Sequence, residues 1–344
     1  MSEKSKKVVT IGGGTGSFML LSGLKNYPIS LSAIVSMADD GGSSGVLRDE
    51  LGVLPPGDVR QCLVALSGSS DIMRELMTYR FENGGLKGHN FGNLLLSALE
   101  KIKGNFSAGL EEAAKILNIN GEVIPVTDEN VNLFMLLQNG KLLKGENEIN
   151  HNFEIEKSGI RKNYLAPLAR ANKKAIERIL EADLVVIGPG NYYCSIFPNF
   201  LVAGISQALR KTKAVVVYNC NLVNKKGHTE KFTLDSYVEN INRQIGKNRI
   251  DFVTFNTKKP EGKLIKKYKE KAESLVEFRT EQVRNRNYRI IRTDLLSDKK
   301  ASYSKVDALA SQRALIRHDS EKLARVLMVI LELGKYEGII NEIV

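Results

Sequence analysis

The 344-residue sequence predicts a doubly wound, mainly parallel α/β fold with helices on both faces and a small β-insert. Three observations carry that expectation. Short β-branched runs end at glycines, as at residues 6–11 (KKVVTI) and 183–187 (DLVVI), and read as buried strands. Stretches with helical apolar spacing separate such runs. Crossovers of this β-α-β kind imply parallel strands with helices covering the sheet.

Each element follows in order. After the first strand, residues 17–25 form a short helix and residues 29–37 (ISLSAIVSM) a second strand. The middle is helix-rich, with apolar residues at helical spacing over residues 58–67, 71–81, 90–103 and 108–117. Residues 121–126 (GEVIPV) look like a strand. Residues 131–144 hold Asn139-Gly140 between apolar runs, a type I′ hairpin signal. The β-insert is therefore expected over about residues 121–155, lying against the main sheet. The α/β pattern resumes with a helix over 173–181, the strand at 183–187, a helix over 199–210 and a strand over 214–218 (AVVVY). A helix over 232–245, a strand over 251–256 and a late strand over 288–292 follow. Asp319 caps a final helix whose Leu323, Val326, Leu327, Ile330 and Leu331 share one apolar face. No repeat or linker divides the chain, so residues 1–344 are expected to form one large α/β domain.

Composition narrows the class. An apolar fraction of 42% and a charged fraction of 26% are ordinary for a globular protein. No apolar stretch approaches the roughly 20 residues of a membrane span. The charged N-terminus runs straight into a strand with no signal-peptide h-region, so a cytoplasmic location is expected. Cys62, Cys194 and Cys220 are far apart, and the four histidines are scattered, which argues against a disulfide framework or a zinc site. The net charge of +11 owes much to a basic stretch over residues 257–289, part of a basic elaboration at about 257–300. No aromatic residues are interleaved there as stacking platforms. The simpler reading is a solvated helix, and no nucleic-acid partner is expected.

Four loops carry the chemistry. Gly12, Gly13, Gly14, Thr15 and Gly16 end the first strand and open a helix. Glycines there let backbone approach a ligand, and free N–H groups at a helix start attract anions. The loop matches neither Walker A, for want of a lysine, nor G-x-G-x-x-G, because Ser17 takes the third glycine's place. Asp39, Asp40, Gly41, Gly42, Ser43 and Ser44 follow the second strand. A carboxylate there suits a ribose hydroxyl, Mg²⁺ or a proton, and the glycines and serines suit a second anion nest. Asp58 is a candidate cap for the next helix. Arg60 sits in its first turn, where a cation does not help the helix and so suggests a role facing the ligand. His89, Asn90 and Asn93 precede another apolar helix, with Asn90 also a candidate cap. Gly188, Pro189, Gly190 and Asn191 form a second glycine loop at a strand's carboxyl end. Loops after different strands of one sheet converge on one crevice, so a small-molecule nucleotide ligand is expected. No nucleophile–base pair and no metal-ligand set is assigned from the residues.

Together, IGGGTG, ADDGGSSGVLRDE, GVLPPGD, GHNFGNLLL, IGPG and the late Arg317-His318-Asp319 resemble the YvcK-like family of gluconeogenesis factors, related to the CofD-type 2-phospho-L-lactate transferases. The resemblance runs over residues 6–331 with the motifs in order. It implies a Rossmann-like fold. It also implies a UDP-sugar-binding regulator linked to cell shape, peptidoglycan synthesis and growth on gluconeogenic carbon sources, with a protein partner in cell-wall synthesis and a homo-oligomeric state. The related transferases join a phospholactyl group to a deazaflavin precursor from a nucleotide-activated donor with Mg²⁺. By position, Thr15 matches the threonine implicated in nucleotide binding, and Asp39 and Asp40 match the acidic pair. Asn199 falls in the Pro-Asn pair after the second glycine loop, and Arg317 is expected at the ligand's phosphates or sugar. The chain departs from the family pattern at Asn191-Tyr192-Tyr193-Cys194-Ser195. It departs again at Asn224-Lys225-Lys226-Gly227-His228-Thr229, where the family often reads T-Q-P-G-E-T.

Three functions follow as expectations. The first is a nucleotide-sugar-binding regulator without turnover and without a required cofactor. The second is a transferase using Asp39 or Asp40 with Mg²⁺. The third is a nicotinamide-dependent dehydrogenase, weakened by the missing third glycine, although the loop still suits an NAD-like dinucleotide.

Overall fold

The computed structural model describes residues 5–271, 273–279, 286–298 and 315–333. Its elements in chain order are β1 (Lys6–Gly12), α1 (Gly14–Leu24), β2 (Ile29–Val35), α2 (Gly42–Leu51), α3 (Gly57–Leu66), α4 (Asp71–Thr78), α5 (Phe91–Lys103) and α6 (Phe106–Ile116). Then come β3 (Glu122–Pro125), β4 (Asn132–Leu137), β5 (Leu142–Lys144), α7 (Glu146–His151), α8 (Ile155–Ser158), β6 (Ile160–Ala166), α9 (Lys173–Glu181) and β7 (Leu184–Ile187). A π-helical turn (Tyr192–Ile196) leads into α10 (Phe197–Leu201), α11 (Ile205–Lys211), β8 (Val215–Asn219), α12 (Leu234–Ile245), β9 (Phe252–Asn256), α13 (Gly262–Glu270), β10 (Arg289–Thr293) and α14 (Ser320–Leu333).

The main sheet has seven parallel strands in the order β10-β9-β8-β7-β1-β2-β3. The chain builds outward from β1 through β2 to β3, returns beside β1 as β7, and builds outward the other way. This is the doubly wound order, and its reversal lies between β1 and β7. Strands buried on both faces explain the uninterrupted apolar runs: Val8, Val9, Ile11, Leu184, Val185, Val186, Ile187, Val216 and Val217 are all buried. Two groups of helices cover the sheet. One comprises α1, α3 and α14, and the other α9, α11 and α12. Right-handed crossovers in opposite directions place them on opposite faces. The apolar face of α14 is buried through Leu323, Leu327, Ile330 and Leu331. Its start lies so close to α1 that a Cβ on Gly23 would stand 2.1 Å from the Ser320 carbonyl oxygen. Asp319 caps α14 as expected, accepting from the N–H groups of Glu321 and Lys322.

Several local expectations are corrected. The strand near residue 122 is β3 of the main sheet, paired with β2, and not part of the insert. The insert is instead a three-stranded antiparallel sheet, β5-β4-β6, running on to Ala166 and carrying α7 and α8. The β4–β5 hairpin exists, but its turn is not type I′. That turn needs positive φ at two central residues, whereas here Gly140 (φ 87°) has it and Asn139 does not. The helix expected over residues 199–210 is two helices, broken at Gly204 (φ 110°). Asp58 does not cap α3: Pro56 holds that position, with no side-chain cap bond. Helix α2 was hidden because its first turn is glycine and serine. Of the basic stretch over 257–289, α13 is helical as expected, and residues 272 and 280–285 lie outside the described ones.

Candidate functional site

The loops after β1, β2 and β7 leave the carboxyl edge of the sheet at its reversal and line one cleft of about 830 Å³. From the first loop, Gly13, Gly14, Thr15 and Gly16 reach it. Gly14 has φ 62°, a conformation that side-chain-bearing residues avoid. A Cβ on Gly16 would stand 2.0 Å from the Pro189 carbonyl oxygen, so the two glycine loops are in backbone contact. Pro189, Gly190 and Asn191 line the cleft from the second loop. Gly12 and Gly188 lie beneath and are not part of the lining. Gly12 passes against Ser17, and Gly188 (φ 68°) accepts from the Asn219 side chain through its carbonyl.

The acidic loop divides into two roles. The Asp39 carboxylate accepts the Gly41 N–H at 2.9 Å and lies against Gly57 at the start of α3. Desolvation pushes its pKa above the usual value, opposed by hydrogen bonds from Gly41 and Ser44. Gly41, Gly42, Ser43 and Ser44 line the cleft with it at the start of α2. Asp40 does not line the cleft. Its carboxylate accepts the Asn147 N–H at 2.7 Å and so docks the insert's α7.

Asp58 points into the cleft beside Gly13, where a Cβ would stand 2.3 Å from its Oδ2. Arg60 also lines it, with Nε donating to Asn93 Oδ1 at 2.8 Å and Nη1 to the Met77 carbonyl at 3.0 Å. Asn93 and His89 are in the lining, and His89 Nδ1 lies 3.3 Å from Ser43 Oγ. The fold thus brings a hydroxyl and an imidazole together, a pairing the sequence reading did not assign. Asn90 is the buried N-cap of α5, accepting the Asn93 N–H, and lies outside the lining. Asn199 is fully buried below the second loop. Its side chain donates to the carbonyls of Ser195 and Ile196, bracing the π-helical turn, and it lies outside the cleft lining. Arg317 lines the cleft as the late motif implied.

Sequence reading missed several lining residues. Glu146 and Asn150 come from α7 of the insert, and Lys225, Lys226 and His228 from the loop after β8. His318 closes the cleft beside Arg317; it is buried, and desolvation pulls its pKa down to about 4. Glu146 is pushed well above the usual carboxyl range by burial, then by Asp39 and Asp58. The Cys194 thiol is raised well above its usual value by burial and then by Glu146. Among the described residues no group of three or more His, Cys, Asp or Glu side chains is placed to hold a metal ion. No helix among them is long and apolar enough to cross a membrane.

The strand order and the converging loops define an open parallel α/β protein of the Rossmann-like kind, with its cleft at the sheet reversal. The chain belongs to the 2-phospho-L-lactate transferase CofD family, whose model matches residues 8–296. It is similar to the gluconeogenesis factor of Bacillus subtilis, at 35% identity over 328 residues, 95% of this chain and 98% of that one. The gluconeogenesis factor of Halalkalibacterium halodurans is 41% identical over 278 residues, 79% of this chain and 84% of its own. A crystal structure of a UPF0052 family member from Bacillus halodurans superposes with a TM-score of 0.85 at 34% identity, covering 95% of this chain and 100% of that one.

Proposed function

We propose that the cleft binds a nucleotide sugar of the UDP-sugar type and that the protein acts as a regulator in cell-wall synthesis, cell shape and gluconeogenic growth. One observation carries this reading: three loops rich in glycine and serine, with the starts of α1 and α2, face a single cleft of about 830 Å³ at the sheet reversal. Helix starts and glycine nests suit a diphosphate, and that volume suits a nucleotide with a sugar attached. Thr15 and Arg317 are the assigned phosphate or sugar contacts. Asp39 and Asp58 are two carboxylates beside those loops, which fits a Mg²⁺ held jointly with ligand phosphates better than an all-protein cage. When bound, that ion would neutralise phosphate charge. A protein partner and a homo-oligomeric state belong to the same reading.

A second reading, a transferase acting on a nucleotide-activated phospholactate-type donor, is favoured by the Ser43–His89 contact in the cleft and by the family. An imidazole there can take a proton from an acceptor hydroxyl. Calorimetry with UDP-N-acetylglucosamine and with NAD, each with and without Mg²⁺, separates the readings when paired with chromatography of the mixture. The regulator reading expects micromolar UDP-sugar binding, weak or absent NAD binding and no product. Product formed from an activated phospholactate and a deazaflavin acceptor would replace it with the transferase.

A further inference from the structure

The loop after β8 places a cation in the cleft wall that no anion among the described residues pairs. Lys225 is largely buried, and its ammonium donates to the main-chain and side-chain oxygens of Asn150. Both acceptors are neutral, and among the described residues no carboxylate closes an ion pair with it. Buried charges ordinarily have such a partner. Glu146 and Glu273 are the nearby carboxylates, close enough to favour the charged ammonium against its desolvation, but neither is within ion-pair distance of it.

Asn150 also accepts from the Asn191 side chain at 2.7 Å, so the same residue ties Lys225 to the second glycine loop. His228 follows in a tight turn, its N–H donating to the Lys225 carbonyl at 3.1 Å. Its side chain lines the cleft at 1% exposure, with both ring nitrogens outside ideal hydrogen-bond geometry and the backbone of Asn152 and Ile149 as their nearest polar neighbours. Burial and then the Lys225 charge push its pKa down to about 3, against the nearby peptide groups of Asn152 and Ile149. The ring is therefore neutral at physiological pH, beside the Lys225 ammonium, whose own pKa burial lowers.

We propose that Lys225 and His228 form an anion subsite separate from the glycine loops, taking a carboxylate or further phosphate on the part of the ligand beyond its diphosphate. This rests on the nucleotide-sugar reading of the cleft and deepens it: the preferred ligand class is a nucleotide sugar with an acidic substituent. Lys225 supplies the charge, Asn150 positions it, and His228 donates a hydrogen bond.

The test is a calorimetric comparison of UDP-glucose with UDP-glucuronate on the full chain and on Lys225→Gln, which keeps a donor for Asn150 and removes the charge. The wild type is expected to bind UDP-glucuronate about tenfold more tightly, the scale of one charge-assisted hydrogen bond. Lys225→Gln is expected to erase that preference, the ratio of the two affinities falling to about one whatever the change in UDP-glucose affinity itself. Equal affinity for both ligands in the wild type, or a preference that survives the substitution, overturns the subsite. If Lys225→Gln does not fold, Lys225→Arg decides in its place, since retained charge must retain the preference. If UDP-glucose fails to bind at all, the nucleotide-sugar reading falls. The subsite then stands only if glucuronate alone moves the His228 ring signals in NMR of the wild type, and it falls if they stay still.

Discussion

At the scale of single residues, the site depends on contacts that tolerate no added atom and on groups held in one charge state. A methyl on Gly16 would overlap the Pro189 carbonyl group, whose oxygen would be 2.0 Å and carbon 2.6 Å away. Gly16→Ala must force the two loops apart. It is expected to cost about 1–3 kcal/mol in chemical denaturation and to abolish ligand binding; a stability equal to wild type would show that the loops do not pack in this way. His318 gives the pH prediction. Its folded pKa, about 4, is depressed below the unfolded value. Between those values the unfolded chain binds the extra proton, so stability falls as pH drops from about 6.5 toward 4. His318→Gln should flatten that part of the stability–pH curve, by up to about 1.4 kcal/mol per pH unit. A slope identical to wild type would place the acid sensitivity elsewhere. The glycines, Thr15 and Asp39 were legible in sequence because their chemistry is local to a loop, whereas Arg317 was reached only through the family resemblance. Glu146 and Lys225 were not, since only tertiary packing turns a short insert helix and the β8 loop toward the cleft. Asn90 and Asn199 show the converse: a polar residue beside a glycine motif was serving the backbone.

At the scale of elements, the insert and the last helix support the site from outside the main sheet. The insert is fastened through Asp40 to the Asn147 N–H and through Asn150 to Asn191 and Lys225. Asp40→Ala is expected to free α7 and weaken ligand binding, with faster amide exchange confined to residues 146–151. Exchange spread evenly over the chain would instead point to global destabilisation. Helix α14 packs on α1, which starts at the first glycine loop, and its Leu327 is fully buried. Leu327→Ala should cost about 2–5 kcal/mol. A loss under about 0.5 kcal/mol, the range of surface changes, would mean that α14 is not anchored there. Strand and helix identities were legible because buried parallel strands and amphipathic helices leave distinct periodicities. The insert's limits were not, since β3 carries the same apolar signal whichever sheet it joins. The break at Gly204 was hidden because a glycine inside a helical pattern gives no reliable sign of whether the helix continues.

At the scale of the whole molecule, the position of the cleft follows from the strand order. Reversal between β1 and β7 opens a crevice at the carboxyl edge, and the loops richest in glycine are those that border it. The cleft carries the carboxylates Asp39 and Asp58 on one side and the Arg317 side chain in the same lining. The family places the protein beside phospholactate transferases and gluconeogenesis factors, which leaves binding against turnover as the question to settle. The most direct test is a calorimetric titration of UDP-N-acetylglucosamine into the wild type, Thr15→Ala and Arg317→Ala. The expected result is one-site binding by the wild type and at least a tenfold loss in each variant, with melting temperatures of the free proteins unchanged. No binding by the wild type, or unchanged affinity in both variants, would contradict a nucleotide-sugar cleft built on these loops.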